Sequence, residues 1–274
     1  MNYDELYSNI VRKGSFLCVG LDSDPELFPE HINVLANPIF EFNKAIIDAT
    51  AQFAVAYKPN LAFYEAYGAQ GWIQLALTVE YIRKKDPSIF IIADAKRGDI
   101  GNTAQLYAKA FFEKMDFDAI TLAPYMGRDS ADPFLTYNNK WAIILALTSN
   151  PSAEDFEMKT MESGQPLFRK VMEESMNWGT KDNTMFVVGA TRPEKLAEIR
   201  TFCPDHFLLV PGVGTQGGSL AEVAKAGLNR HCGLLVNVSR AIIFADRSDK
   251  FAIVAADKAR EIAAEMAALL KTLQ

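Results

Sequence analysis

The chain has 274 residues, 49% of them apolar, with 28 Lys and Arg against 34 Asp and Glu. That length fits one large α/β barrel or two ordinary domains, and the apolar share supplies a sizeable core with no stretch biased enough to stay disordered. A net charge of −6 with the signs interspersed argues against a general nucleic-acid surface, which needs a basic field, but leaves room for a local basic pocket for an anion.

The first segment, "MNYDELYSNIVRKG", has the pattern of an amphipathic helix with acidic residues early. It lacks the basic start and apolar run of a signal peptide, and no apolar run in the chain approaches the ~18 residues of a membrane span. A cytoplasmic protein is expected. Short β-branched-rich apolar runs then recur at residues 15–22, 53–60, 89–96, 117–124, 142–149, 184–190, 206–214 and 233–239. Each is nearly continuous in apolar character and ends in a polar or Gly/Pro turn, as parallel strands buried on both faces do.

Helical patterns lie between the runs. "NPIFEFNKAIIDATAQF" carries apolar residues at spacings of three and four; "PEKLAEIRTF" opens on Pro193; "SLAEVAKAGLN" opens on a Ser cap and stops near Gly227. A long Ala-rich amphipathic helix ends the chain. Eight strand–helix units predict a single (β/α)8 TIM barrel over residues 1–274 with an additional N-terminal helix. A doubly wound sheet is the rival, disfavoured by the even count. The longest irregular stretch, residues 149–166, follows the fifth run and has the length of a functional lid. Cys18, Cys203 and Cys232 form no CxxC pair and read as reduced structural thiols.

Chemistry in such barrels sits at the C-terminal ends of the strands. Here those ends deliver Asp22, Lys58, then Asp94 and Lys96, which are two apart on a strand and therefore point the same way. Asp99 follows past the strand end, where alternation no longer gives a direction. A lysine among carboxylates stays protonated. One such cluster is often a structural ion-pair group; three adjacent strand ends favour a reaction centre.

The second constellation is "VPGVGTQGGSL", residues 210–220, whose glycines let backbone N–H groups approach an anion before a helix begins. Arg240, at the next strand end, adds a charged fork for phosphate oxygens, and Gln216 a neutral donor. Gly212, Gly214 and Gly217 also fit G-x-G-x-x-G, but the following strand end, "LLVNVSRAI", lacks the carboxylate a dinucleotide fingerprint requires. Metal signals are poor. His31, His206 and His231 show no ligand spacing, and a magnesium ion among Asp22, Asp94 and Asp99 would meet repulsion from Lys58 and Lys96.

"DAKRGDIGNT" at residues 94–103 resembles the Asp-x-Lys-x-x-Asp signature of the orotidine 5′-phosphate decarboxylase family, with its following Ile and Thr. "VGLDSDP", "YKPNLAFYE", "LTSNPSA", "PGVGTQGG" and "VSRAI" resemble that family's flanking motifs, in order, and the second bacterial branch in particular. The resemblance implies decarboxylation of orotidine 5′-phosphate to UMP without a cofactor or metal, in de novo pyrimidine synthesis. It implies Lys96 as proton donor to C6, Asp94 against the substrate carboxylate, and Asp22 and Lys58 on the ribose hydroxyls, with Lys58 also in the charge network. Ser149, or within one position Thr148, would contact the pyrimidine, and Gln216 and Arg240 the phosphate. Ile100, Pro211 and Ser239 join the substrate-binding set. Asp99 and Thr103 would reach the neighbouring site of a homodimer. "VSR" departs from members with Gly before the Arg, though Ser239 keeps its backbone N–H. Bare D-x-K-x-x-D is shared with magnesium-dependent keto-sugar phosphate decarboxylases and aldolases, which stay open as alternatives beside a non-catalytic phosphate-binding barrel.

Overall fold

Strands that are apolar on both faces need cover on both faces, and the fold supplies it with a closed barrel inside a ring of helices. The structure, a computed structural model, describes residues 1–214 and 217–273. All eight apolar runs are strands: β1 (Leu17–Leu21), β2 (Ala54–Pro59), β3 (Phe90–Arg97), β4 (Ala119–Leu122), β5 (Trp141–Leu147), β6 (Thr184–Val188), β7 (Leu208–Pro211) and β8 (Leu234–Val238). Neighbours pair in parallel, and β8 returns to β1 through Leu17–Val236 and Val19–Val238. That closure sets the doubly wound alternative aside.

The helices begin where the residues say they should. Pro193 stands at the first position of helix Pro193–Phe202, and the Ser219 hydroxyl accepts the Glu222 N–H at the start of helix Leu220–Gly227. On the last helix, Phe251–Leu270, the buried Ala255, Ala259 and Ala263 recur every four residues. Their small side chains let this helix lie against Pro38–Thr50. The N-terminal helix Tyr3–Lys13 starts with a capping box between Asn2 and Glu5 and ends at Gly14 in the left-handed conformation. Its Tyr3 packs on Trp141 and Phe207, at or beside the starts of β5 and β7, so the helix covers the N-terminal mouth of the barrel.

Charged groups at that mouth are structural. Arg83 donates to Asp118 at 2.6 Å, and the same carboxylate accepts the Ile91 N–H at 2.8 Å. Half-buried Arg200 donates to the carbonyls of Cys203, His206, Gly227 and Gly233 at 2.6–3.0 Å, pinning two helix ends to two strand starts. The three cysteines are unpaired and buried, and burial pushes Cys18 and Cys232 up to about 12 and Cys203 to about 11. Such thiols are inert, in keeping with their reading as structural groups. Burial likewise lowers His206 to about 4, so it packs against Phe186 as a neutral ring. No helix among the described residues is long and apolar enough to cross a membrane.

Candidate active site

β3 brings Asp94 and Lys96 to the C-terminal mouth, but not as a regular strand. Its pairing with β4 runs Ile92–Ala119 and Ala93–Ile120, then resumes at Arg97–Leu122, so four steps on β3 face two on β4. Lys96 lies inside this bulge at φ +50°, in the left-handed region. Arg97 turns away from the mouth, pairing with Glu65 and lying 5.2 Å from the Tyr107 ring centre. The charges beside Asp94 therefore divide into one that faces the mouth and one that braces the wall.

The Asp94 carboxylate holds an ammonium on each oxygen: Lys96 Nζ lies 2.5 Å from Oδ1 and Lys58 Nζ 2.7 Å from Oδ2. Asp22 Oδ1 stands 3.9 Å from Lys58 on the far side. Burial alone would raise the Asp94 carboxyl, but Lys58 and Lys96 outweigh it and hold it well below the usual carboxylate range. Burial opposes the Lys58 charge, yet Asp94 and then Asp22 push it above the ordinary lysine range.

These shifts set a stability window. The depressed Asp94 contributes in full above its ordinary 3.8 and loses that contribution as pH falls toward its folded value. The raised Lys58 contributes in full below 10.5 and loses its share as pH climbs toward its folded value. Asp94→Asn leaves Lys58 buried with only the more distant Asp22, at an expected cost of about 3–5 kcal/mol at neutral pH. Denaturant titrations at several pH values check this: the gap between parent and variant narrows as pH falls below the ordinary carboxylate value. A gap unchanged with pH would show that the pair does not supply it.

Asp22 is held by a buried polar network. Tyr64 donates to the Leu21 carbonyl at 3.2 Å, Asn43 donates to Tyr64 at 3.0 Å, and Ser23 donates to Asn43 at 2.5 Å. Asp22 Oδ1 itself is buried without a hydrogen-bond partner, an acceptor waiting for a donor. Across the mouth, Pro211, Ser239 and Arg240 face this group over a cavity of about 190 Å³. Asn60 and Asn237 also line it, and neither figures among the residues read from sequence. The signals were present: Asn60 lies two residues beyond Lys58, and Asn237 breaks an otherwise apolar strand two residues before Ser239.

The glycine segment adopts the conformations only glycine takes easily, with Gly212, Gly214 and Gly217 at φ +102°, +81° and +88°. Gly214 and Gly218 bond across the loop, N–H to carbonyl, at 3.1 Å. Gln216 lies outside the described residues. At the end of β5, Thr148 is committed: its N–H donates to Glu157 at 2.7 Å and its hydroxyl to the same carboxylate at 2.9 Å. The 149–166 stretch is thus tied to the strand tip, and a Glu154–Arg192 ion pair at 2.8 Å ties it to the connection after β6. Ser149, next in the chain, seats against Gly189, where an added Cβ would stand 2.9 Å from its backbone N.

Asp99, Ile100 and Thr103 fall elsewhere. All three are exposed on the turn after β3 and the start of helix Gly101–Ala108, outside the cavity. Within the protomer the Asp99 carboxylate accepts the Ile100 N–H at 2.8 Å and, among the described residues, pairs with no cation.

Barrel and strand-end charges together define a TIM-barrel protein whose site is a Lys–Asp–Lys array facing an arginine and a glycine-rich loop. The chain belongs to the orotidine 5′-phosphate decarboxylase / HUMPS family, whose model matches residues 15–253. It is 56% identical to an orotidine 5′-phosphate decarboxylase of Phocaeicola vulgatus over 266 residues, covering 97% of this chain and 98% of that one. A Bacteroides fragilis protein of the same name is 54% identical over 273 residues and the full length of both. Among solved structures, the Leishmania donovani OMP decarboxylase superposes with a TM-score of 0.84 at 35% identity, covering 98% of this chain and 99% of that one.

Proposed function

We propose that the protein decarboxylates orotidine 5′-phosphate to UMP and CO₂ for pyrimidine synthesis. The observation that carries the reading is the array in which Asp94 has a lysine on each oxygen. Cleaving the bond from C6 to the carboxylate leaves an electron pair on an sp² carbon that ring conjugation does not disperse. Fixed charge has to stabilise it. The Lys96 ammonium does so and then passes a proton to C6, leaving a neutral amine that regains its proton from water. Asp94 faces the departing carboxylate, keeps Lys58 charged and holds both ammonium groups in place.

The other contacts follow the mouth. The unpartnered Asp22 oxygen and Lys58 take the ribose hydroxyls, with Asp22 as acceptor. Ser149, seated against Gly189 just past the tip of β5, is the base contact. Arg240 and the backbone around Pro211 and Ser239 take the phosphate. Its binding energy, won far from C6, can be used at the reacting carbon.

A homodimer is part of the proposal. Ile100 and Leu106 expose apolar side chains beside Asp99, and a groove lined by Asn102, Gln105, Leu106 and Pro133 runs along the same helix. A second copy on this face buries those groups and lets Asp99 and Thr103 enter its neighbour's site. A cytoplasmic location fits the three unpaired thiols.

The direct test is loss of ultraviolet absorbance with purified orotidine 5′-phosphate, together with capture of CO₂. Turnover that survives dialysis against a chelator supports the reading. Turnover lost on dialysis and restored by magnesium, or activity on keto-sugar phosphates instead, overturns it.

A further inference from the structure

We infer that Thr121 is a positioning residue for the reaction: its buried hydroxyl holds the Asp94 carboxylate and the Lys96 backbone in one geometry. The inference rests on the reading of Lys96 as proton donor. Thr121 lies on β4 opposite the bulge of β3 and is 1% exposed. Its Oγ1 accepts the Lys96 N–H at 2.9 Å and donates to Asp94 Oδ1 at 3.1 Å. The bulge has taken the Lys96 N–H off the strand ladder, and the hydroxyl replaces the missing strand acceptor.

The conformation it secures is unusual. Lys96 is in the left-handed region, which a residue carrying a Cβ enters at a steric cost. Among the described residues the other non-glycine positions with positive φ are Asp116, Asn139 and Cys232, and all lie outside the strands. A regular strand would carry Lys96 onward along the pleat. Held back in the bulge, its ammonium reaches Asp94 Oδ1, the same oxygen Thr121 donates to. One hydroxyl thus registers both ends of the Asp94–Lys96 pair, the backbone of one and the carboxylate of the other. A residue of the same shape without the hydroxyl loses both bonds at once.

The test compares Thr121→Val, nearly isosteric, with Thr121→Ser, which keeps the hydroxyl. For the valine variant kcat falls about 10²-fold, the scale expected when a reacting group shifts by roughly an ångström, while KM stays within about threefold because substrate anchoring lies elsewhere. The serine variant recovers most of the parental kcat. Crystal structures of both read the geometry without turnover: Lys96 leaves the left-handed region in the valine variant and stays in the serine variant. Thr121→Ala replaces the valine variant if that one does not fold. Parental kcat in a variant without the hydroxyl overturns the inference, as does a loss confined to KM or a serine variant as impaired as the valine one. If the parent protein itself does not decarboxylate orotidine 5′-phosphate, the functional reading fails, and the structures still decide whether Thr121 sets Lys96.

Discussion

Lys96→Ala is expected to lower decarboxylation by about 10⁴-fold or more, a barrier increase of about 5.5 kcal/mol, in a protein that remains folded. Two losses combine: the ammonium that stabilises charge at C6 and the proton that ends the reaction. Folding survives because the Lys96 side chain is 51% exposed at the mouth, so truncation opens no core cavity. Asp94 keeps Lys58 on Oδ2 and Thr121 on Oδ1, so its carboxylate stays charged and oriented. Lys96→Arg is expected to fail nearly as badly, since a guanidinium retains its proton and presents a wide planar fork where a single donor is needed. Steady-state turnover measured beside circular dichroism checks both. Turnover of the alanine variant within tenfold of the parent would remove Lys96 from the mechanism.

The barrel was legible because its strands are covered on both faces, which makes each a continuous apolar run that neither an amphipathic helix nor a one-sided sheet imitates. Strand-end chemistry then placed Asp22, Lys58, Asp94 and Lys96 together, and the structure brings those four into one array. Strand alternation accounts for the Asp94–Lys96 pair only in part. Residues two apart share a face in a regular strand, whereas here a bulge and a left-handed backbone join them. Nothing in "ADAKRG" announces positive φ at a lysine. The conformation is imposed from β4, through a threonine that reads as an ordinary buried strand residue. Asn60 and Asn237 were missed because asparagine at a strand end serves turns as well as sites. The 149–166 stretch reads as irregular because its order comes from a short 3-10 turn at Pro151–Asp155, a lone Thr160–Pro166 bridge and side-chain ties, Glu157 to Thr148 and Glu154 to Arg192, that carry no periodicity.

Mixing two inactive variants is expected to restore activity. Lys96→Ala lacks the proton donor, and Asp99→Asn lacks the carboxylate proposed to cross the dimer. In a homodimer of either, both sites are damaged. When equal amounts exchange subunits, half the dimers are hybrids. One site of each hybrid takes Lys96 from the alanine subunit and Asp99 from the asparagine subunit, and is doubly damaged. The other takes both from intact sources and is complete. Activity should therefore rise from near zero to about a quarter of the parental value. The prediction stands on the placement of Asp99: exposed, outside its own protomer's cavity and, among the described residues, without a cation partner. A carboxylate acting within its own subunit gives no rescue, because each hybrid site would then carry the lesion of the chain that forms it. The recovery should also require exchange. Mixing far above the dimer's dissociation constant and assaying before subunits exchange, or mixing subunits cross-linked beforehand, leaves activity near zero, so the time course of recovery reports subunit exchange and its plateau reports the shared site.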